Sequence, residues 1–381
     1  MKNPNDKIVY VDGLNIKSFG GLNHLINIME KAPNKINNNK VIYKVWIKKS
    51  FKNHLKNNRN IIVKSNFFGN LPTPFNLIWN FFVFRLVCLK NKPDYILSLG
   101  GLLLFKYKNS TGVYQNVQPF IDKGSSLNYQ NLRVKMLRYL WKISSKNYKK
   151  HIFHSKDSAN LIRSYFNTDK EYKIIYHGIN NFFRIEKNKM LDKLSNLSKK
   201  VELNHEISFT YVTSAYSYKN NKKIIKSFEN IYLKGFRFHL NLIVANGPEL
   251  GEIKNIIDTC DFKSQITFLT DISQDEIKHI LHEKTDVAIF ASNFESFGII
   301  LVEKMASGLP IFALKKSCIP EILGPNGNYF NIDKSESFYE NIISLLINSE
   351  DIRKKTLLTW ERSDIFNWDK AAYETWNFIF K

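Results

Sequence analysis

The chain has 381 residues, a net charge of +22 and an apolar content of 44%. That length suits two domains, each large enough to bury a core, and that apolar share excludes a disordered polyelectrolyte. Three scattered cysteines, Cys88, Cys260 and Cys318, offer neither a C-x-x-C metal pair nor a disulfide framework and fit a reducing compartment. The opening residues MKNPNDKIVYVDG lack the apolar core of a signal peptide. The longest apolar tract, 76–89, is interrupted by Asn80 and Arg85 and is too short to span a bilayer. The charge is unevenly placed: residues 1–180 carry 30 Lys and Arg against 8 Asp and Glu, whereas residues 181–381 carry 26 of each sign. Three readings of the basic half stay open: attraction to an anionic membrane surface or a pyrophosphate-bearing acceptor, a lysine-rich solvated face, or nucleic acid.

In chain order, Lys7–Gly13 reads as the opening strand of an α/β domain. Gly20-Gly21 then precede a helical pattern with Leu22, Leu25, Ile26 and Met29 on one face. Val41–Ile47 and Asn60–Ser65 read as further strands. The segment 66–92 concentrates aromatic residues, among them Phe67, Phe68, Phe75, Trp79, Phe81, Phe82 and Phe84. Much of it reads as a buried helix, and its loop portion suits an interfacial anchor on lipid. Asp94–Gly101 and Thr111–Phe120 are strands, the second running into a polar loop with Gln115 and Asn116. Residues 131–150 form a basic helix in which Arg133, Lys135, Arg138, Lys142, Lys146, Lys149 and Lys150 interleave with Leu137, Leu140, Trp141 and Ile143. This is either a membrane-surface helix or a packed helix with a solvated face.

His151–Ile162 is a strand followed by a Ser-capped helix, and Lys173–Asn180 closes the first domain. Residues 184–206, rich in Lys, Asn and Ser, read as a connection. Strand ISFTYVTS then delivers a loop ending at Lys219. Beyond the Gly-Pro-Glu turn of His239–Leu250 comes a strand, loop and helix over Ser264–Lys284. The stretch from Asp286 to Pro310 is a strand–loop–helix–strand unit. Gly308 and Pro310 end its helix, Glu295 stands at the helix mouth and Glu303 one turn inside. A glycine loop feeding a helix start is anion-binding geometry. Acids beside it are suited to accept from hydroxyls, and an object carrying hydroxyls on both sides of a phosphate is a nucleotide sugar.

The run E-S-F-G-I-I-L-V-E-K-M-A-S-G-L-P-I, beginning at Glu295, resembles the signature of glycosyltransferase family 4, the retaining two-domain GT-B enzymes. The resemblance implies an α/β fold of two Rossmann-like domains with parallel sheets facing across a cleft, the last helix crossing back to the N-domain. The expected division is an acceptor domain over 1–182 with about 364–381, a linker over 183–206 and a nucleotide-sugar domain over 207–363. It implies that Glu295 orients the donor sugar and that Glu303 accepts from the ribose hydroxyls. Lys219, with the backbone of Phe297, Gly298 and Ile299, neutralises the diphosphate, and Leu269 and Thr270 meet the base. Gly20 and Gly21 line the donor site from the first domain. Gln115 and Asn116 stand where the family commonly has a His-Asp pair, and an amide pair positions a substrate but cannot act as a base. Where the family has an arginine five residues before the lysine, this chain has Ser214, which leaves Lys222 or Lys223 as sources of charge, Lys223 on a position able to face away.

The expected function is therefore transfer of a sugar from a UDP- or GDP-sugar to a lipid-linked glycan in O-antigen- or capsule-type polysaccharide synthesis. The expectation includes no metal and no cofactor, no nucleic acid, and a cytoplasmic site on the inner face of the membrane. The alternatives are a sugar-nucleotide epimerase of the same fold and a basic nucleic-acid-binding module.

Overall fold

The computed structural model describes residues 6–16, 19–55, 59–66, 78–100, 102–121, 132–332 and 335–381. Phe67, Phe68, Phe75 and Gly101 lie outside the described residues. The chain divides into two compact units, the first running to residue 178 and taking back 367–381, the second built from 179–366.

In the first unit, β1 (Lys7–Asp12) pairs in parallel with β3 (Asn39–Ile47) on one side and β5 (Tyr95–Leu99) on the other. A short β2 (Lys35–Ile36) makes an antiparallel hairpin with β3, and β4 (Ile61–Ser65) lies parallel to it. From β5 the sheet continues through β6 (Ser110–Tyr114), β7 (Lys150–Phe153) and β8 (Glu171–Ile174). Side chains of a strand alternate between faces, and here both faces are covered. Val9 and Val11 join Leu22, Leu25, Ile28 and Met29 of α1 (Phe19–Glu30), with Trp376 and Ile379 of the last helix (Trp368–Phe380). Ile8 and Tyr10 join Trp46, Trp79, Phe84 and Cys88 on the other side. Coverage on both faces is why these strands read as continuous apolar runs. Ile28 replaces Ile26 in the buried stripe of α1, Ile26 being only partly buried.

A π turn at Trp79–Val83 leads into α2 (Phe84–Asn91). Trp79 and Phe84 are core, whereas Phe82, Leu86 and Leu89 are exposed. In α3 (Leu132–Asn147), Val134, Leu140 and Trp141 are buried, and Leu132, Met136 and Tyr139 are exposed. Lys150, expected on this basic face, is instead in β7 and buried; its ammonium donates to Phe378 O at 2.9 Å and lies 3.7 Å from Glu171. Among the described residues no helix is long and apolar enough to cross a membrane.

The second unit begins by departing from expectation. Residues read as a linker fold as α4 (Lys187–Glu202), which buries Met190, Leu194 and Leu197 on one stripe. Gly308 explains part of this. Its φ of +64° favours glycine, and a Cβ there would lie 2.6 Å from Met190 Cγ. All pairs of the second sheet are parallel. Its order is β11 (Ile266–Leu269), β10 (Phe238–Ala245), β9 (Ile207–Ser214), β12 (Val287–Phe290), β13 (Ile311–Leu314) and β14 (Asn328–Phe330). Counted within the unit this is 3-2-1-4-5-6, the doubly wound order, with its reversal between β9 and β12.

Candidate functional site

Ligands of doubly wound sheets bind outside the carboxyl ends of the strands that flank such a reversal. Here those ends are Ser214 of β9 and Phe290 of β12. The loop after β9 turns through Ser217–Lys219 into α5 (Asn221–Leu233). The loop after β12 passes Asn293 and Glu295 and enters α6 (Ile299–Ala306). The two loops are laced together. Asn293 N–H donates to Tyr218 O at 2.8 Å, Asn220 Nδ2 donates to Ala291 O at 2.7 Å, and the Tyr211 hydroxyl donates to Lys219 O. Asn220 holds the left-handed conformation, φ +55°, which asparagine tolerates better than most residues.

Between the loops, Lys219 Nζ donates to Glu295 Oε1, with the two side chains 13% and 15% exposed. Burial works against the Lys219 charge, but attraction to Glu295, with Tyr218 and Tyr211, outweighs it and leaves the pKa raised. The ammonium therefore stays charged. The Glu295 backbone is clipped to Ser317: its N–H donates to Oγ at 3.2 Å, and the hydroxyl donates to Glu295 O at 3.0 Å. Gly298, φ +86°, caps α6 in a conformation that favours glycine. The first N–H groups of the helix then have no intrahelical partner. Glu303 follows one turn in, 6% exposed, and burial pushes its carboxyl up to about 7 while Lys304 draws it back. Among the described residues no donor hydrogen-bonds its carboxylate.

Lys304 went unnoticed in the sequence reading. It is fully buried, donates to Ile289 O at 2.6 Å and lies over the rings of Phe290 and Tyr211 at 5.3 and 5.5 Å. Burial, then repulsion from Lys219, lowers its pKa to about 7. The available signal is its setting: apart from Glu303 and Lys304 the helix Ile299–Ala306 is apolar all round, and residues 301–306 are all buried, so a lysine there has no solvent face to occupy.

The remaining expected residues fall into place unevenly. Leu269 ends β11 and Thr270 follows it, both partly buried at the strand's carboxyl end. The Phe297 ring is core, edge-on to Phe366 at 5.4 Å, so only its backbone is presented; Ile299 is partly buried. Lys223 is on the exposed side of α5, and Lys222 is held by Glu249 at 3.2 Å and Glu252 at 3.0 Å. Neither stands in for the arginine that Ser214 displaces. In the first unit Gly20 and Gly21 sit inside the first turn of α1 rather than before it. A Cβ on Gly21 would lie 2.9 Å from Gln115 Oε1, so these two expected residues do meet. Gln115 Nε2 lies 2.8 Å from His24 Nδ1, while Asn116 Oδ1 accepts from Gln118 N–H at 2.9 Å and caps a short turn.

Residues 193–356 match the family of glycosyl transferases group 1. That match lies within the second unit. Full-length likeness to solved glycosyltransferases gives the rest of the fold. The chain superposes on sucrose-phosphate synthase from Thermosynechococcus elongatus with a TM-score of 0.75, covering 98% of both chains at 14% identity. Against HepE from Anabaena, solved in complex with UDP and glucose, the TM-score is 0.70 over 99% of this chain and 100% of that one, at 15% identity. The fold is thus GT-B, with two parallel-sheet units as expected. Among curated proteins, the O-antigen chain mannosyltransferase RfbU of Salmonella typhimurium is 25% identical over 62% of this chain and 60% of its own length. A probable sucrose-phosphate synthase of Thermosipho melanesiensis is 30% identical over 43% of this chain and 38% of its own. The match thus spans 60% or less of these relatives.

Proposed function

We propose that this glycosyltransferase moves a sugar, with retention, from a UDP- or GDP-sugar to a lipid-linked glycan acceptor in surface-polysaccharide synthesis. The observation that carries this is the buried Lys219–Glu295 ion pair at the sheet reversal, beside the capped start of α6. In the free enzyme each charge neutralises the other. A donor separates their tasks: the diphosphate takes Lys219 and the helix N–H groups, and the sugar hydroxyls take Glu295. Charge developing on the leaving diphosphate is then met by groups already oriented, the most effective form of electrostatic catalysis. Glu303 accepts from the ribose hydroxyls. The likeness to RfbU supports a polysaccharide setting, and the UDP complexes of HepE support a nucleotide-sugar donor.

The first unit supports the acceptor part of this reading. Phe82, Leu86 and Leu89, and likewise Leu132, Met136 and Tyr139, are exposed at helical spacing 4 then 3 on the half that holds the excess positive charge. Apolar stripes with lysine neighbours suit an anionic lipid surface, the inner membrane face in this reading. The direct test is donor hydrolysis across a panel of UDP- and GDP-sugars. One sugar nucleotide is expected to turn over, and Lys219→Met is expected to lower kcat by about 10²–10³. Turnover that survives Lys219→Met removes the proposed phosphate contact.

A further inference from the structure

His24, His154 and His177 lie far apart in sequence and together in the first unit. All three are buried, and one nitrogen from each lies within 4.8 Å of the others. His24 is on α1, His154 follows β7, and His177 follows β8. His154 and His177 stack at 3.8 Å, and His24 stands edge-on to both at 4.9 and 4.6 Å. We infer that these three imidazoles form a binding site for a divalent first-row transition ion, with zinc as the natural probe.

One observation beyond proximity points to a ligand, and it is made at His154. Its Nδ1 lies 2.9 Å from Ile175 O; a carbonyl only accepts, so Nδ1 carries the proton and Nε2 holds the lone pair. That Nε2 is buried without a hydrogen-bond partner, a costly state for an acceptor. A ring fixed by a backbone carbonyl on one nitrogen with the other nitrogen bare is the usual state of a metal-bound histidine. His24 is held differently: Gln115 Nε2 lies 2.8 Å from its Nδ1, an amide nitrogen only donates, and His24 therefore ligates through Nε2 only once that amide turns to present its oxygen. Burial keeps all three imidazoles neutral near pH 7, since each pKa is lowered and that of His154 lies at about 4. Neutral imidazole is the ligating form.

Tetrahedral zinc with Zn–N bonds of about 2.1 Å needs ligand nitrogens about 3.4 Å apart, so the rings must turn out of their stack and converge. Three histidines leave the fourth position open to water or to a small ligand. Bound metal would tie α1 to the ends of β7 and β8 and fix the side chain that orients Gln115. This assignment does not depend on the transfer reaction: none of the three histidines is among the residues expected to hold the donor, although Gln115, expected to position a substrate, contacts His24.

The test uses chelator-stripped full-length protein titrated with zinc against a chromophoric chelator. One equivalent per chain is expected, with affinity falling roughly 100-fold or more in His154→Phe, since even indirect partners of a ligand are worth 10- to 100-fold. No uptake in competition, or uptake unchanged in His154→Phe, overturns the site. Because that variant disturbs a packed stack, X-ray absorption of the zinc-loaded wild type supplies an independent count. Three imidazoles per zinc support the inference, and two or fewer refute it.

Discussion

Replacing Lys304 with methionine is expected to stabilise the second unit by about 3 kcal/mol at pH 7. Lys304 is fully buried, and its pKa drops from 10.5 to about 7. Each unit of such a shift corresponds to 1.36 kcal/mol, so the folded state carries a burden of about 4 kcal/mol at pH 7 relative to an unfolded chain in which the lysine is freely solvated. Methionine removes that burden, fills similar volume and forfeits one hydrogen bond, to Ile289 O, worth about 1 kcal/mol net. The sign with pH is specific. Below pH 7 the lysine is charged in both states and the burden is complete. Above pH 7 the folded protein releases the proton while the unfolded chain keeps it up to about 10.4, so the wild type recovers stability as pH rises. The gap between variant and wild type is therefore largest at or below pH 7 and shrinks toward pH 10. Denaturant unfolding at pH 6, 7, 8 and 9 measures it. A variant less stable than wild type at pH 7, or a gap as large at pH 9 as at pH 6, would refute the reasoning. For a unit of this size the gain raises Tm by roughly 6–12 °C.

Glu303→Gln is expected to weaken donor binding about 10- to 100-fold by calorimetry, the worth of hydrogen bonds to a charged acceptor; unchanged affinity refutes the ribose contact. With Glu303 titrating at about 7, wild-type donor affinity is expected to rise between pH 6 and 8 as the carboxyl ionises, a trend the glutamine variant lacks. Trp376→Ala removes a ring that packs on Tyr43 at 4.9 Å and donates to Ile28 O at 2.8 Å; it is expected to cost about 3–5 kcal/mol, read in the unfolding of the first unit. Flotation with anionic liposomes is expected to capture the protein at low salt and to lose it at high salt or in Leu86→Ser/Leu89→Ser. Binding indifferent to both excludes the lipid surface.

The strands of the second unit were legible because each is a short apolar run bounded by glycine, proline or charge. The run VAIF between Asp286 and the ASN loop is one such strand. Lys219 and Glu295 were singled out through the family resemblance of the loops that carry them, and the structure pairs the two side chains. The helix over 187–202 was missed although Met190, Leu194 and Leu197 recur at i, i+4 and i+7, a helical spacing; the Lys, Asn and Ser around them read as a connection. Lys150 was misread because its burial is decided by what packs over it, which no local pattern records. The histidine cluster was hidden for a related reason: His24 and His177 are 153 positions apart, and only the parallel crossovers of the sheet bring them together.

One detail of the chain path bears on how the protein is made. The first unit is interrupted: everything from residue 179 to 366 emerges before the helix Trp368–Phe380 that completes its core. At synthesis rates of about 5–20 residues per second, that sheet waits roughly 10–40 seconds with the surface meant for Trp376 uncovered. The usual N-terminal-first order is therefore inverted. The second unit is the first able to mature on the ribosome, and the first unit becomes whole only when the helix Trp368–Phe380 arrives.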